Sequence, residues 1–144
     1  MAPNTLVLGA GIVGSAAVWD LVRRGHTVTV ADADPAAADE VGDSFGAASA
    51  QLDVSDGDDL ADLLDGFDAV VSAVPYRFGV EVAGAAIRAG AHYTDFGGNP
   101  TVVASQQELN NAAVDAGVLV APDCGLAPGL ANAMAEHLIT TTPG

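Results

Sequence analysis

The chain has 144 residues, half of them hydrophobic, enough for one domain with its own core and too few for two comfortable ones. Nineteen acidic residues stand against four arginines and no lysine, a formal net charge of −15, so phosphate backbones and anionic lipid are repelled and nucleic-acid and membrane-surface roles lose their main attraction. Without lysine there is no Walker phosphate loop, lysine Schiff base or Tyr-x-x-x-Lys pair. The single cysteine, Cys124, rules out an intrachain disulfide and a multi-cysteine zinc site, and no metal site is expected.

Met1-Ala2-Pro3-Asn4 lacks the basic start of a secretion signal, and no apolar run nears the roughly 18 residues that span a bilayer, so a cytoplasmic location is expected. Thr5 to Leu8 is the first strand-length apolar run. Val13, Ala17 and Leu21 then repeat at fourfold spacing, which predicts a helix closed by Gly25. Thr27 to Ala31 is a second strand, and Asp34-Pro35 starts a second helix, with a side-chain acceptor at the cap and a preset φ at the first helical position. Gly42 is expected to end that helix, and Ala47 to Leu52 is a weaker third strand. Ser55 is expected to cap a further helix, in which the charges from Asp56 to Asp65 form a solvated face around Leu60, Leu63 and Leu64 and Gly66 supplies the end. Ala69 to Ala73 is the fourth strand. Val80, Ala83 and Ile87 mark a helix ending at Gly90, Ala91 to Thr94 the fifth strand, Gly117 another helix end, and Val118 to Ala121 the sixth strand. The strands are apolar nearly throughout, so both sheet faces should be covered. The expected fold is α/β, a doubly wound Rossmann parallel sheet of about six strands with helices on both faces.

Gly9-Ala10-Gly11-Ile12-Val13-Gly14 is a GxGxxG fingerprint. Its force comes from context: it follows the first strand, opens the first helix, and is followed by Asp32 at the end of the second strand. Gly9 permits the tight turn, Gly11 lets the backbone approach a pyrophosphate held by the helix amides, and Gly14 lets the helix pack close to the sheet. Dinucleotide binding is therefore expected. Asp32 is placed to accept from the adenosine ribose hydroxyls and to repel a 2′-phosphate. With Ala31 and Ala33 beside it, NAD is expected over NADP. Asp53 and Val54 are placed to flank the adenine, although Asp53 also reads as a simple turn acid. Ala73, Val74 and Pro75 end the fourth strand at the switch point, where small residues let the backbone lie against a cofactor, and Tyr76 and Arg77 stand at the mouth.

In the second half, Ala89-Gly90-Ala91-His92-Tyr93-Thr94-Asp95-Phe96-Gly97-Gly98-Asn99, followed by Val120-Ala121-Pro122-Asp123-Cys124-Gly125-Leu126-Ala127-Pro128-Gly129-Leu130-Ala131-Asn132, resembles the lysine 6-dehydrogenase and saccharopine dehydrogenase family. The resemblance covers nearly the whole chain. Its most specific part is Asp-x-Gly-x-Ala-Pro-Gly-x-x-Asn from Asp123 to Asn132, with Ala127 favouring the lysine 6-dehydrogenase side. It implies oxidation of an amine-bearing carbon, with hydride passing to the nicotinamide across about 3–3.5 Å. It also implies that Gly125 and Leu126 lie in the loop under the nicotinamide, that residues 1–127 form the dinucleotide-binding domain, and that 128–144 lead towards a second, substrate-contacting domain absent from this chain. A small amine or amino-acid substrate, lysine metabolism and weak turnover by the chain alone follow as expectations, with a homodimer left open.

Asp95 and Asp123 are the candidate catalytic acids, because both follow strands at the carboxyl edge and a carboxylate suits a cationic amine; each also reads as a loop cap. Cys124 is expected as a buried filler, and His26, His92 and His137 as surface residues. A sensor of NAD like those on potassium-uptake systems shares the fingerprint and the length, yet has no evident use for Val74-Pro75-Tyr76 or for the Asp123 to Gly129 segment. The acidic, lysine-free surface matches a high-salt cytoplasm, where salt screens self-repulsion.

Overall fold

The computed structural model describes residues 2–56, 60 and 63–142. Six parallel strands form one sheet in the order β3-β2-β1-β4-β5-β6. They are β1 (Asn4–Leu8), β2 (Thr27–Asp32), β3 (Ala48–Gln51), β4 (Ala69–Ser72), β5 (His92–Asp95) and β6 (Val120–Ala121). Pairing sets Leu8 beside Ala31 on one side and Ser72 on the other, and Ser72 beside Asp95. The chain winds outward from β1 in one direction and from β4 in the other. The loops after these two neighbours therefore diverge and open a crevice at their carboxyl ends.

Alternate residues of each strand feed two cores, because side chains along a strand point to opposite faces. Val7, Val28 and Val30 pack with Val18 of α1 (Ile12–Arg23) and Val41 of α2 (Pro35–Phe45). Leu6, Leu8, Val70 and Tyr93 pack on the other face with Leu60, Leu64 and, from α3 (Gly79–Ala89), Val82 and Ala86. Leu6, Val7 and Leu8 are fully buried, each adding about 2 kcal/mol of transfer free energy. α4 (Pro100–Gln107) and α5 (Asn110–Ala116) pack against α3, whereas α6 (Leu130–Thr141) has no buried residue.

Asp34 caps α2 as expected, accepting from the Ala36 amide at 3.0 Å. Gly42 does not end that helix: it lies inside it, buried, where an added Cβ would sit 2.9 Å from the Ala47 carbonyl, and the left-handed cap is Gly46. The buried face of α1 is set by Gly14 and Val18 with Ala17 and Leu21 half-buried, while Val13 is exposed. The helix expected before Gly117 is two helices, α4 and α5, and Asn99 caps the first by accepting from Thr101 and Val102. Ser55 gives its hydroxyl and its amide to Asp53. Residues 57–59 and 61–62 of the expected acidic helix lie outside the described residues.

Candidate dinucleotide site

β1 delivers the chain at Leu8 into Gly9, whose φ of 98° is left-handed and whose amide donates to the Ala31 carbonyl at 2.7 Å. A Cβ on Gly9 would stand 3.0 Å from the Ala73 carbonyl oxygen, and one on Gly14 would overlap the Gly9 carbonyl. These two glycines are required by the turn and by the helix lying close above it. Gly11 differs, because an added Cβ there meets nothing within 4 Å. α1 has no side-chain cap and no acidic residue in its first turn, so its leading amides and its positive dipole end favour an anion beside Gly11.

Asp32 ties this turn to the end of β2. One carboxylate oxygen accepts the Ala10 amide at 2.7 Å and the other the Asp34 amide at 3.0 Å. Each oxygen offers two acceptor positions, which leaves room for ribose hydroxyls. Gly9, Gly11, Asp32, Asp53, Val54, Ala73, Val74 and Pro75 all line one groove, joined by Leu52, Ser55, Arg77 and Phe78. The groove is open to solvent and holds about 510 Å³, the scale of a ligand cleft. Asp53 is exposed, and the Ser55 hydroxyl and then the Ser55 amide hold its carboxyl below the ordinary carboxylate range. Ala10 and Ile12 line a neighbouring depression between α1 and α2, with Ile12 almost fully exposed.

The other expected site residues gather around the end of β5. Asp95 is buried, and its carboxylate takes four hydrogen bonds. One oxygen accepts the Gly97 and Asp123 amides, both at 2.8 Å, and the other accepts the Tyr93 hydroxyl and Gln106 Nε2, both at 2.7 Å. Burial, then the Asp95 charge, pushes the Tyr93 phenol far above its ordinary value, so it stays protonated and donates. Asp123 has a left-handed φ of 64°, which aspartate tolerates better than most residues, and its carboxylate accepts the Gly98 amide at 3.3 Å. Gly125 packs against the Phe96 carbonyl with no space for a Cβ, and Leu126 is exposed. Val74 links the two groups, lining both the groove and the smaller cavity that contains Asp95.

Cys124 is exposed rather than a buried filler, because the turn after β6 directs it outward while its amide bonds the Asp95 carbonyl at 2.9 Å. His92 and His137 are exposed, and His26 is half-buried beside the Thr5 hydroxyl. Sequence reasoning missed the buried polar set of Ser72, Tyr93 and Gln106 around Asp95. The available signal was the Asn99-Pro100 pair, which repeats Asp34-Pro35 and so marks the helix that carries Gln106.

Residues 5–121 match the family model described as the saccharopine dehydrogenase NADP binding domain. Over 140 residues the chain is 32% identical to saccharopine dehydrogenase (NADP(+), L-glutamate-forming) of Saccharomyces cerevisiae, covering 96% of this chain and 31% of that protein. The solved apo structure of the histidine-tagged, L-Glu-forming enzyme from the same yeast superposes with a TM-score of 0.83 at 31% identity, again over 96% of this chain and 31% of the other. An NAD binding oxidoreductase from Klebsiella pneumoniae is 26% identical with a TM-score of 0.64, over 84% of this chain and 34% of that one. The chain thus spans about a third of the length of these relatives. Its fold, its glycine turn and these matches together place it in the saccharopine dehydrogenase family, as an oxidoreductase Rossmann domain that binds a pyridine nucleotide.

Proposed function

We propose that this chain holds the coenzyme for a dehydrogenase that oxidises an amine-bearing carbon, with NAD preferred to NADP. The groove carries the proposal: Gly9 to Gly14 offer backbone amides to a pyrophosphate, while Asp32, at the end of β2, meets the adenosine ribose. The bound nicotinamide supplies the hydride acceptor. Ala73, Val74 and Pro75 give it a wall of small side chains, Val54 and Asp53 flank the adenine, and Gly125 and Leu126 bound the nicotinamide end.

Asp123 is the acid that meets a cationic amine. Its second carboxylate oxygen has no donor among the described residues, whereas Asp95 is saturated by the chain's own groups and holds Asp123 in place. The amine is that of an amino acid such as lysine, and further substrate contacts come from a second domain after residue 127, consistent with an α6 that buries none of its side chains here. The high acidity suits a cytoplasm rich in salt.

Titration of the 144-residue chain with NADH and NADPH, read by nicotinamide fluorescence in high salt, tests this. NADH is expected to bind about tenfold more tightly, the scale of one charge-assisted contact. Equal or tighter binding of NADPH, the coenzyme class named for the matched family, would overturn the preference, and no binding of either would overturn the proposal.

A further inference from the structure

We propose that Arg77 is the phosphate-binding side chain of the groove, an inference that rests on the coenzyme-binding proposal above. The chain has four cationic side chains, and the fold separates one from the other three. α1 and α3 begin at the carboxyl edge of the sheet and run back to the opposite edge, because each follows a parallel strand. Arg23 lies in the last turn of α1, over the Trp19 ring, and Arg24 caps that helix, paired with Asp20 at 2.6 Å. Arg88 lies in the last turn of α3. All three therefore sit at the edge away from the groove. Arg77 follows β4 at the carboxyl edge and lines the groove with Gly9, Gly11, Asp32 and Asp53.

Its guanidinium rests 4.5 Å from the centroid of the Phe78 ring, and among the described residues it makes no ion pair. The ring face orients the cation without neutralising it. The groove's other charged side chains are the carboxylates of Asp32 and Asp53, in a chain of net charge −15. A dinucleotide entering it brings phosphate charge into a field of the same sign. The α1 amino end returns only about half a unit of positive charge. Arg77 supplies a full one, as a planar fork that matches phosphate oxygens.

The test uses Arg77→Gln and Arg77→Lys in the full chain, titrated with NADH, NADPH, ADP and adenosine at low and at high potassium chloride, with thermal melting to confirm the fold. Arg77→Gln is expected to weaken the phosphate-bearing ligands about tenfold at low salt and less at high salt, with adenosine unchanged and Arg77→Lys recovering part of the loss. A loss confined to NADPH identifies the 2′-phosphate as the partner, and an equal loss for NADH, NADPH and ADP identifies the pyrophosphate; either supports the proposal. Wild-type affinities in Arg77→Gln overturn it, as does a matching loss for adenosine. If the wild-type chain binds no dinucleotide, the coenzyme proposal fails instead.

Discussion

The backbone amide of Asp123 donates to the Asp95 carboxylate at 2.8 Å, on the same oxygen that accepts the Gly97 amide. One buried side chain thus fixes the loop after its own strand and the loop after the neighbouring strand. The other carboxylate oxygen is anchored from below by Tyr93 and by Gln106 of α4. Asp95→Ala would leave the Gly97 and Asp123 amides and the Tyr93 hydroxyl without an acceptor, and Gln106 Nε2 with only the Tyr93 oxygen at 3.3 Å. It is expected to cost about 3 kcal/mol or more in chemical denaturation, since an unsatisfied buried group costs about 1–3 kcal/mol and the part-buried loop amides can turn to solvent. A loss under about 1 kcal/mol would mean that the two loops hold without it.

What the sequence revealed and what it hid divide along the range of the interactions. The glycine turn and the Asp34-Pro35 cap are demands made by nearby backbone, and each is readable from its neighbours. Gly42 was misread because its need appears only once the chain has turned into β3: it lets the end of α2 lie against the Ala47 carbonyl, whereas Gly46 provides the left-handed end. The Asp95 cluster was hidden for the same reason. Gln106 looks like one polar residue among several in a helix, and only packing shows that it is buried against Tyr93 and Asp95. Cys124 followed the general tendency of free cysteine to be buried, until the turn after β6 placed it outside.

Gly11 and Gly14 separate binding from folding. A Cβ at Gly11 meets open space, so Gly11→Ala is expected to change stability by less than about 1 kcal/mol yet weaken NADH binding about tenfold or more, since the methyl occupies the approach to the pyrophosphate. At Gly14 a Cβ collides with the Gly9 backbone, so Gly14→Ala should lose both stability and binding. Parallel melting and NADH titration check the pair. Unimpaired binding by Gly11→Ala would place the phosphates elsewhere.

Tyr93 makes stability depend on alkali. Its folded-state pKa is raised by burial and by Asp95, so above about pH 10 the unfolded chain releases a proton that the folded chain keeps. The contribution is therefore complete below that pH and is lost as pH rises beyond it. Denaturation midpoints should fall with increasing steepness above about pH 10, and Tyr93→Phe, though less stable at neutral pH, should show a flatter alkaline limb. Parallel limbs for the two proteins would assign the alkaline loss to other groups.

Salt should act on the whole molecule. With 19 carboxylates against four arginines, and with Arg24–Asp20 the one ion pair among the described residues, most negative charge on this surface is opposed only by solvent and counter-ions. Screening shortens the reach of that repulsion from about 10 Å at 0.1 M salt to about 3 Å at 1 M, and the compact state gains more than the expanded chain because its charges lie closer together. Melting temperature should therefore climb steadily with potassium chloride over that range. Sucrose at matched osmolality separates screening from general exclusion at the surface, because it stabilises burial without screening charge. If potassium chloride raises the melting point no more than sucrose does, charge repulsion is not what limits this fold, and the high-salt cytoplasm inferred from its composition loses its physical basis.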